Sequence, residues 1–231
     1  MIRIFSVLAI LVFSTSLCSA QSLPVTFTNA SDGFSISFPE GWAEVPHEKL
    51  DTANRAAAKL NPAWKAPVLH YAYYLTNTNG LTLPLSMAIR VMKADHPRPA
   101  DVVAEMTKKE ELPANVSYDD FDKPVFDSAS NVATTSYHAK MAGLPPLEGW
   151  IAYFLTEQSV IKMFFQTAQS DHQQVAATIQ QIIKSVRISD DIKLKPETPP
   201  SPLRLVIVGI SLAVMAVVLY FAKPAKSPSS T

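Results

Sequence analysis

The chain has 231 residues, with 20 Lys and Arg against 20 Asp and Glu, and a single cysteine. Cys18 lies in the N-terminal apolar stretch, so the body of the protein has no disulfide framework, no thiolate nucleophile and no sulfur-ligated metal. Taking Arg3, Lys193, Lys195, Arg204, Lys223 and Lys226 from the 20 basic residues and Glu197 from the 20 acidic ones leaves 14 against 19 between Gln21 and Asp191, a net charge of −5 that argues against a nucleic-acid partner.

Residues 1–20 read as a secretory signal peptide. Arg3 supplies the positive start, residues 4–13 the apolar core, and residues 14–20 a small-residue cleavage region ending before Gln21. Thr15 and Leu17 stand where a lipidation signal needs Leu and a small residue, so Cys18 carries no lipid. The roughly 170 residues that follow suffice for one domain with a real core.

Residues 25–28 read as a short strand and 29–33 as a turn. The run 34–39 then alternates, with Phe34, Ile36 and Phe38 on one face. After Pro39-Glu40-Gly41 the chain turns, and Trp42 folds back over the sheet edge or else forms a ligand platform. Leu50, Ala53, Ala57 and Leu60 repeat at helical spacing, so 48–60 is a helix that Asn61-Pro62 stops. Residues 68–75 and 81–92 are strands joined by a hairpin turn at 77–80, and Pro84 marks a strand start or an edge. A second helix is expected over 101–111, and strands over 124–126, 132–141, 150–155 and 160–167. Ser170 and Gln173 have the spacing of a capping box, and Val175, Ile179, Ile182, Ile183 and Val186 form the apolar stripe of a closing helix. A short strand, 186–188, returns to the sheet. Hairpins without alternating strand and helix units imply an α+β fold, a mainly antiparallel sheet with helices packed on its faces.

Pro196, Pro199, Pro200 and Pro202 make 190–202 a stiff linker. Residues 205–222 hold eighteen residues without a charge, about 27 Å of helix, so 203–223 are expected to span a membrane once. With a translocated N-terminus, the body lies outside the cytoplasm and the short tail after 223 inside. Gly209 and Ala213, four apart, offer a face on which two such anchors could dimerise.

Gly33-Phe-Ser-Ile-Ser-Phe-Pro-Glu-Gly-Trp42, the late hairpin within 150–167 and the helix running into Lys184-Ser-Val-Arg-Ile188 together resemble the PsbP-like family. That fold also covers the Ran-binding Mog proteins and several bacterial envelope proteins. The resemblance spans about residues 24–188 and implies an α/β/α sandwich with a non-enzymatic accessory or binding role, here in a membrane-anchored bacterial form.

No catalytic constellation stands out. His47-Glu48-x-x-Asp51 begins like a zinc-protease motif, but Asp51 replaces the second histidine. Ser159-x-x-Lys162 lies on an expected strand and lacks its companion motifs. Asp119, Asp120 and Asp122 crowd an acidic loop that could hold a hard cation, although a solvated loop is the simpler reading. His47, His70, His96, His138 and His172 are scattered, and His70 meets His138 only if their strands pair. Trp42, Trp64 and Trp150 are the ligand-binding candidates. No cofactor is implied. The sequence therefore points to a periplasmic binding or accessory domain on a single inner-membrane span that recruits an envelope protein or a small ligand. The alternative is an assembly factor acting through its membrane helix, with the domain as a spacer.

Overall fold

The computed structural model describes residues 26–60, 69–106, 116–141 and 143–195. The elements run β1 (Thr26–Asn29), β2 (Phe34–Ser37), β3 (Trp42–Glu44), α1 (His47–Leu60), β4 (Tyr71–Leu75), β5 (Ser86–Lys93), α2 (Pro99–Met106), β6 (Val116–Phe121), β7 (Val125–Asp127), β8 (Val132–Met141), β9 (Leu147–Leu155), β10 (Ser159–Ala168), a 3-10 turn (Gln169–Asp171), α3 (His172–Ser185) and β11 (Arg187–Ile188). Among the described residues the strands form two sheets. The large one has the order β3-β4-β5-β10-β9-β8-β6, with β7 also on β8, and the small one the order β1-β2-β11. Every strand pairing is antiparallel, so the α+β class with a mainly antiparallel sheet is the observed one.

The large sheet is covered on both sides, and its central strands are apolar on both faces for that reason. On one face Met87, Ile89, Ile161, Met163 and Phe165 meet Val175, Ile179 and Ile182 of α3, together with Phe34 and Ile36 of the small sheet and Phe38 just after β2. On the other, Ile151, Tyr153, Leu155, Val160 and Phe164 meet Val102 and Met106 of α2. Lys162 is wholly buried in this second layer, its Nζ 4.5 Å from the Tyr153 ring centroid and 4.9 Å from that of Phe164.

Several local expectations change. The acidic loop around Asp119 and Asp120 is strand β6, because pairing with β8 overrides the poor strand propensity of aspartate, and an edge strand tolerates charge. β5 starts at Ser86 because the N–H groups of Thr82 and Leu83 donate to the Asp171 carboxylate instead of to a ladder. β9 begins three residues earlier than expected, at Leu147. The capping box at Ser170 and Gln173 does not form: Asp171 is the N-cap of α3 and makes no side-chain capping bond, since its carboxylate is turned toward Thr82 and Leu83.

After β11 the chain continues within the same compact unit to Leu194. The Glu157 N–H donates to the Ile192 carbonyl at 2.8 Å, Lys193 bridges to Thr156, and Asn131 Nδ2 donates to the Leu194 carbonyl at 3.2 Å. The chain thus leaves the domain beside the β9–β10 and β7–β8 turns. The signal segment 1–20, Trp64, and the 203–223 segment with Gly209 and Ala213 lie outside the described residues. Among the described residues no helix is long and apolar enough to cross a membrane.

Candidate functional site

Residues directly opposite each other in an antiparallel pair project to the same face. Asp120 pairs with His138, His138 with Glu148, and Glu148 with Thr167, so four polar residues from β6, β8, β9 and β10 form one row on the α3 side of the sheet. The next row contains Ser136, Trp150 and Phe165. This cluster lies at the pole of the domain where α3 begins. From Glu148 to the far end of β9, where the chain leaves, is seven residues or roughly 23 Å.

Glu148 is the centre of the cluster. The residue is only 6% exposed, yet its carboxylate faces two half-exposed imidazoles. His138 Nε2 lies 3.6 Å from Oε2, and His172 Nδ1, on the first residue of α3, contacts Oε1. The latter contact lacks the alignment of a hydrogen bond, and Nδ1 has no other partner. The His172 ring stacks on the partly exposed Trp150 indole, with centroids 5.0 Å apart and planes 24° apart. Beside them Thr167 is 1% exposed, and its Oγ1 has no hydrogen-bond partner.

Local sequence features place these groups. The ladder between β6 and β8 shifts between Tyr118 and Asp120, so Asp119 is an extra residue in a bulge and Asp120 is the residue set opposite His138. Gly149 separates Glu148 from Trp150 and must be glycine for steric reasons: a Cβ there would lie 2.1 Å from Tyr137 Cζ, whose ring crosses the strand. The start of α3 is fixed by Asp171, whose carboxylate accepts from the N–H groups of Thr82 at 2.7 Å and Leu83 at 3.1 Å. Burial alone would raise the Asp171 pKa, but these bonds, with those from Ser170 and the Thr82 hydroxyl, outweigh it and hold the value below the usual one.

Of the tryptophans, Trp150 is in this cluster. Trp42 is 2% exposed in edge strand β3, packed 5.6 Å from Phe38, with its Nε1 unpartnered; it covers the sheet edge. Asp122 lies beside the cluster and accepts a hydrogen bond from the Ser136 hydroxyl. Asp120 is exposed, and its Oδ1 accepts from the Phe121 N–H. Among the described residues no group of three or more His, Cys, Asp or Glu is arranged to hold a metal ion.

The other histidines are elsewhere. His70 precedes β4, which β5, β10 and β9 separate from β8, and its Nδ1 accepts the Val91 N–H at 3.1 Å; burial lowers its pKa, in keeping with an acceptor. His96 pairs with Glu157 at 2.6 Å near the opposite pole, and His47 is exposed on α1. Ser159 and Lys162 are three apart on one strand and so point to opposite faces, which rules out a Ser-Lys pair. Glu148 and Thr167 were not singled out by sequence, and His172 stood only among the scattered histidines. The one available signal was a carboxylate two residues before Trp150, leading an otherwise apolar strand.

No protein-family model matches the chain, and no curated protein matches it. Solved structures do. The solution structure of cyanobacterial PsbP (CyanoP) from Synechocystis sp. PCC 6803 is similar, with a TM-score of 0.45 and 13% identity over 75% of this chain and 95% of that one. LpqN of Mycobacterium tuberculosis, described as involved in cell envelope biogenesis, gives 0.45 and 8% over 74% and 92%. A Bacteroides thetaiotaomicron VPI-5482 protein gives 0.43 and 11% over 87% of this chain but 63% of its own. With every TM-score below 0.5 and every identity below 25%, these likenesses show neither a family nor an activity.

Proposed function

We propose that the protein is a non-enzymatic binding domain, held outside the cytoplasm by a single C-terminal membrane span, that recruits a protein partner at the Glu148 pole. The observation that carries this reading is the buried Glu148 carboxylate beneath half-exposed His138, His172 and Trp150. A structural tie needs neither partly exposed imidazoles nor an aromatic ring at the surface, whereas a recognition site needs both charge and exposed aromatic area. Support for the placement comes from residues 1–20 and 205–222, whose composition suits export and spanning.

A photoreactive residue at exposed Ser170, beside the cluster, should cross-link a discrete partner in intact cells, and one at exposed Gln158, near the opposite pole, should not. Equal adducts from both positions, or none from either, would overturn the assignment of the binding pole. A reporter fused after Thr231 should be active in the cytosol only; activity outside would remove the membrane topology.

A further inference from the structure

We propose that the Glu148 cluster is a slot for an arginine side chain of the partner protein, which His172 fills until the guanidinium displaces it. This rests on the binding role above and names the chemistry of its partner. His172 lies flat on Trp150 while its edge meets the Glu148 carboxylate. An aromatic face beside a carboxylate is the pair of surfaces a planar cation requires.

The imidazole fills this slot without satisfying it. His172 Nδ1 makes no aligned hydrogen bond, and Thr167 Oγ1, 1% exposed and directly opposite Glu148 in the ladder, has no partner at all. A guanidinium brings five N–H donors in a fixed fork: two suit the carboxylate oxygens and a third suits the Thr167 hydroxyl. The surroundings favour a cation as well, since Asp120 ends the row on edge strand β6 and Asp122 lies beside it, against Ser136. Lys140, on the same side of β8, has an interaction of its own. Displacement is local, because His172 is half-exposed on the first residue of α3 and its side chain rotates outward without moving the helix.

The test uses the full chain and three small probes, the N-acetyl amides of arginine, lysine and citrulline. Binding is read from the Trp150 indole N–H resonance, assigned with Trp150→Phe. The arginine probe should shift this signal saturably, the lysine probe should bind several-fold more weakly, and the uncharged citrulline probe should not bind. Glu148→Gln should weaken arginine binding by about tenfold or more, as expected for loss of a charge-assisted fork. If that variant does not fold, Thr167→Val should still weaken it several-fold. His172→Ala should tighten binding several-fold by removing the internal competitor, an effect no purely structural role produces. The proposal is overturned by the absence of a saturable shift in both wild type and His172→Ala, by equal affinity for lysine and arginine, or by weaker binding in His172→Ala. A Ser170 adduct that the arginine probe does not compete away would sink the slot while leaving the binding role standing; arginine binding with no adduct would remove the protein-partner role instead.

Discussion

Asp171 shows how much one side chain can organise. Its carboxylate accepts four hydrogen bonds, from the Thr82 and Leu83 N–H groups, the Thr82 hydroxyl and the Ser170 hydroxyl, and so ties the β4–β5 connection to the start of α3. Asp171→Ala would strand two main-chain donors and should cost about 2–4 kcal/mol, measured by denaturant unfolding. The folded pKa is lowered, so the stabilisation is fully present above the unfolded aspartate value of about 3.9 and is lost as pH falls through the lower folded value. The unfolding midpoint of the wild type should therefore drop more steeply below about pH 4 than that of Asp171→Ala. Gly149→Ala should cost about 1–3 kcal/mol by forcing the Tyr137 ring out of place, and Tyr137→Leu in the same chain should recover part of the loss in a thermal melt. Neither role was legible in the sequence. Asp171 reads as one polar residue in a capping motif, and the ring that needs Gly149 belongs to a strand brought alongside by the fold.

At the scale of elements, periodicity was a good guide where one face alone is buried. The stripe of α3 points where its spacing says, with Val175, Ile179 and Ile182 all buried against the sheet. Ile179→Ala should cost about 2–5 kcal/mol, because no neighbour can close the space left at a wholly buried position; a midpoint shift within a few tenths would contradict that packing. Strand β6 escaped notice because its aspartates break the pattern and its pairing partner lies well downstream. The bulge makes a sharper prediction. Tyr118 and Asp120 are already in register with Ala139 and His138, so deleting Asp119 removes only the extra residue and should change stability by about 1 kcal/mol or less. Deleting Asp120 instead removes the residue opposite His138, and hydrogen exchange along β6 would report the loosened ladder.

For the whole molecule, the packed unit reaches beyond the last strand. A soluble chain ending at Ser189 loses the bonds through Ile192 and Leu194, and it should be less stable than one ending at Lys195 by a few kcal/mol in parallel thermal melts. Equal stability would show that 190–195 merely lie against the domain. The sequence alone determined the α+β class, most of the strands (β3 and β6 excepted) and the closing helix, since the spacing of apolar residues directly reflects which side of an element is buried. It also determined the charge balance and the absence of thiols from the body. Only the tertiary structure decided which strands are neighbours and therefore which polar residues meet. Glu148 comes within reach of His138 and His172 because β8, β9 and the first turn of α3 converge on one face, and that proximity is a property of the sheet's order, to which no local spacing in the chain corresponds.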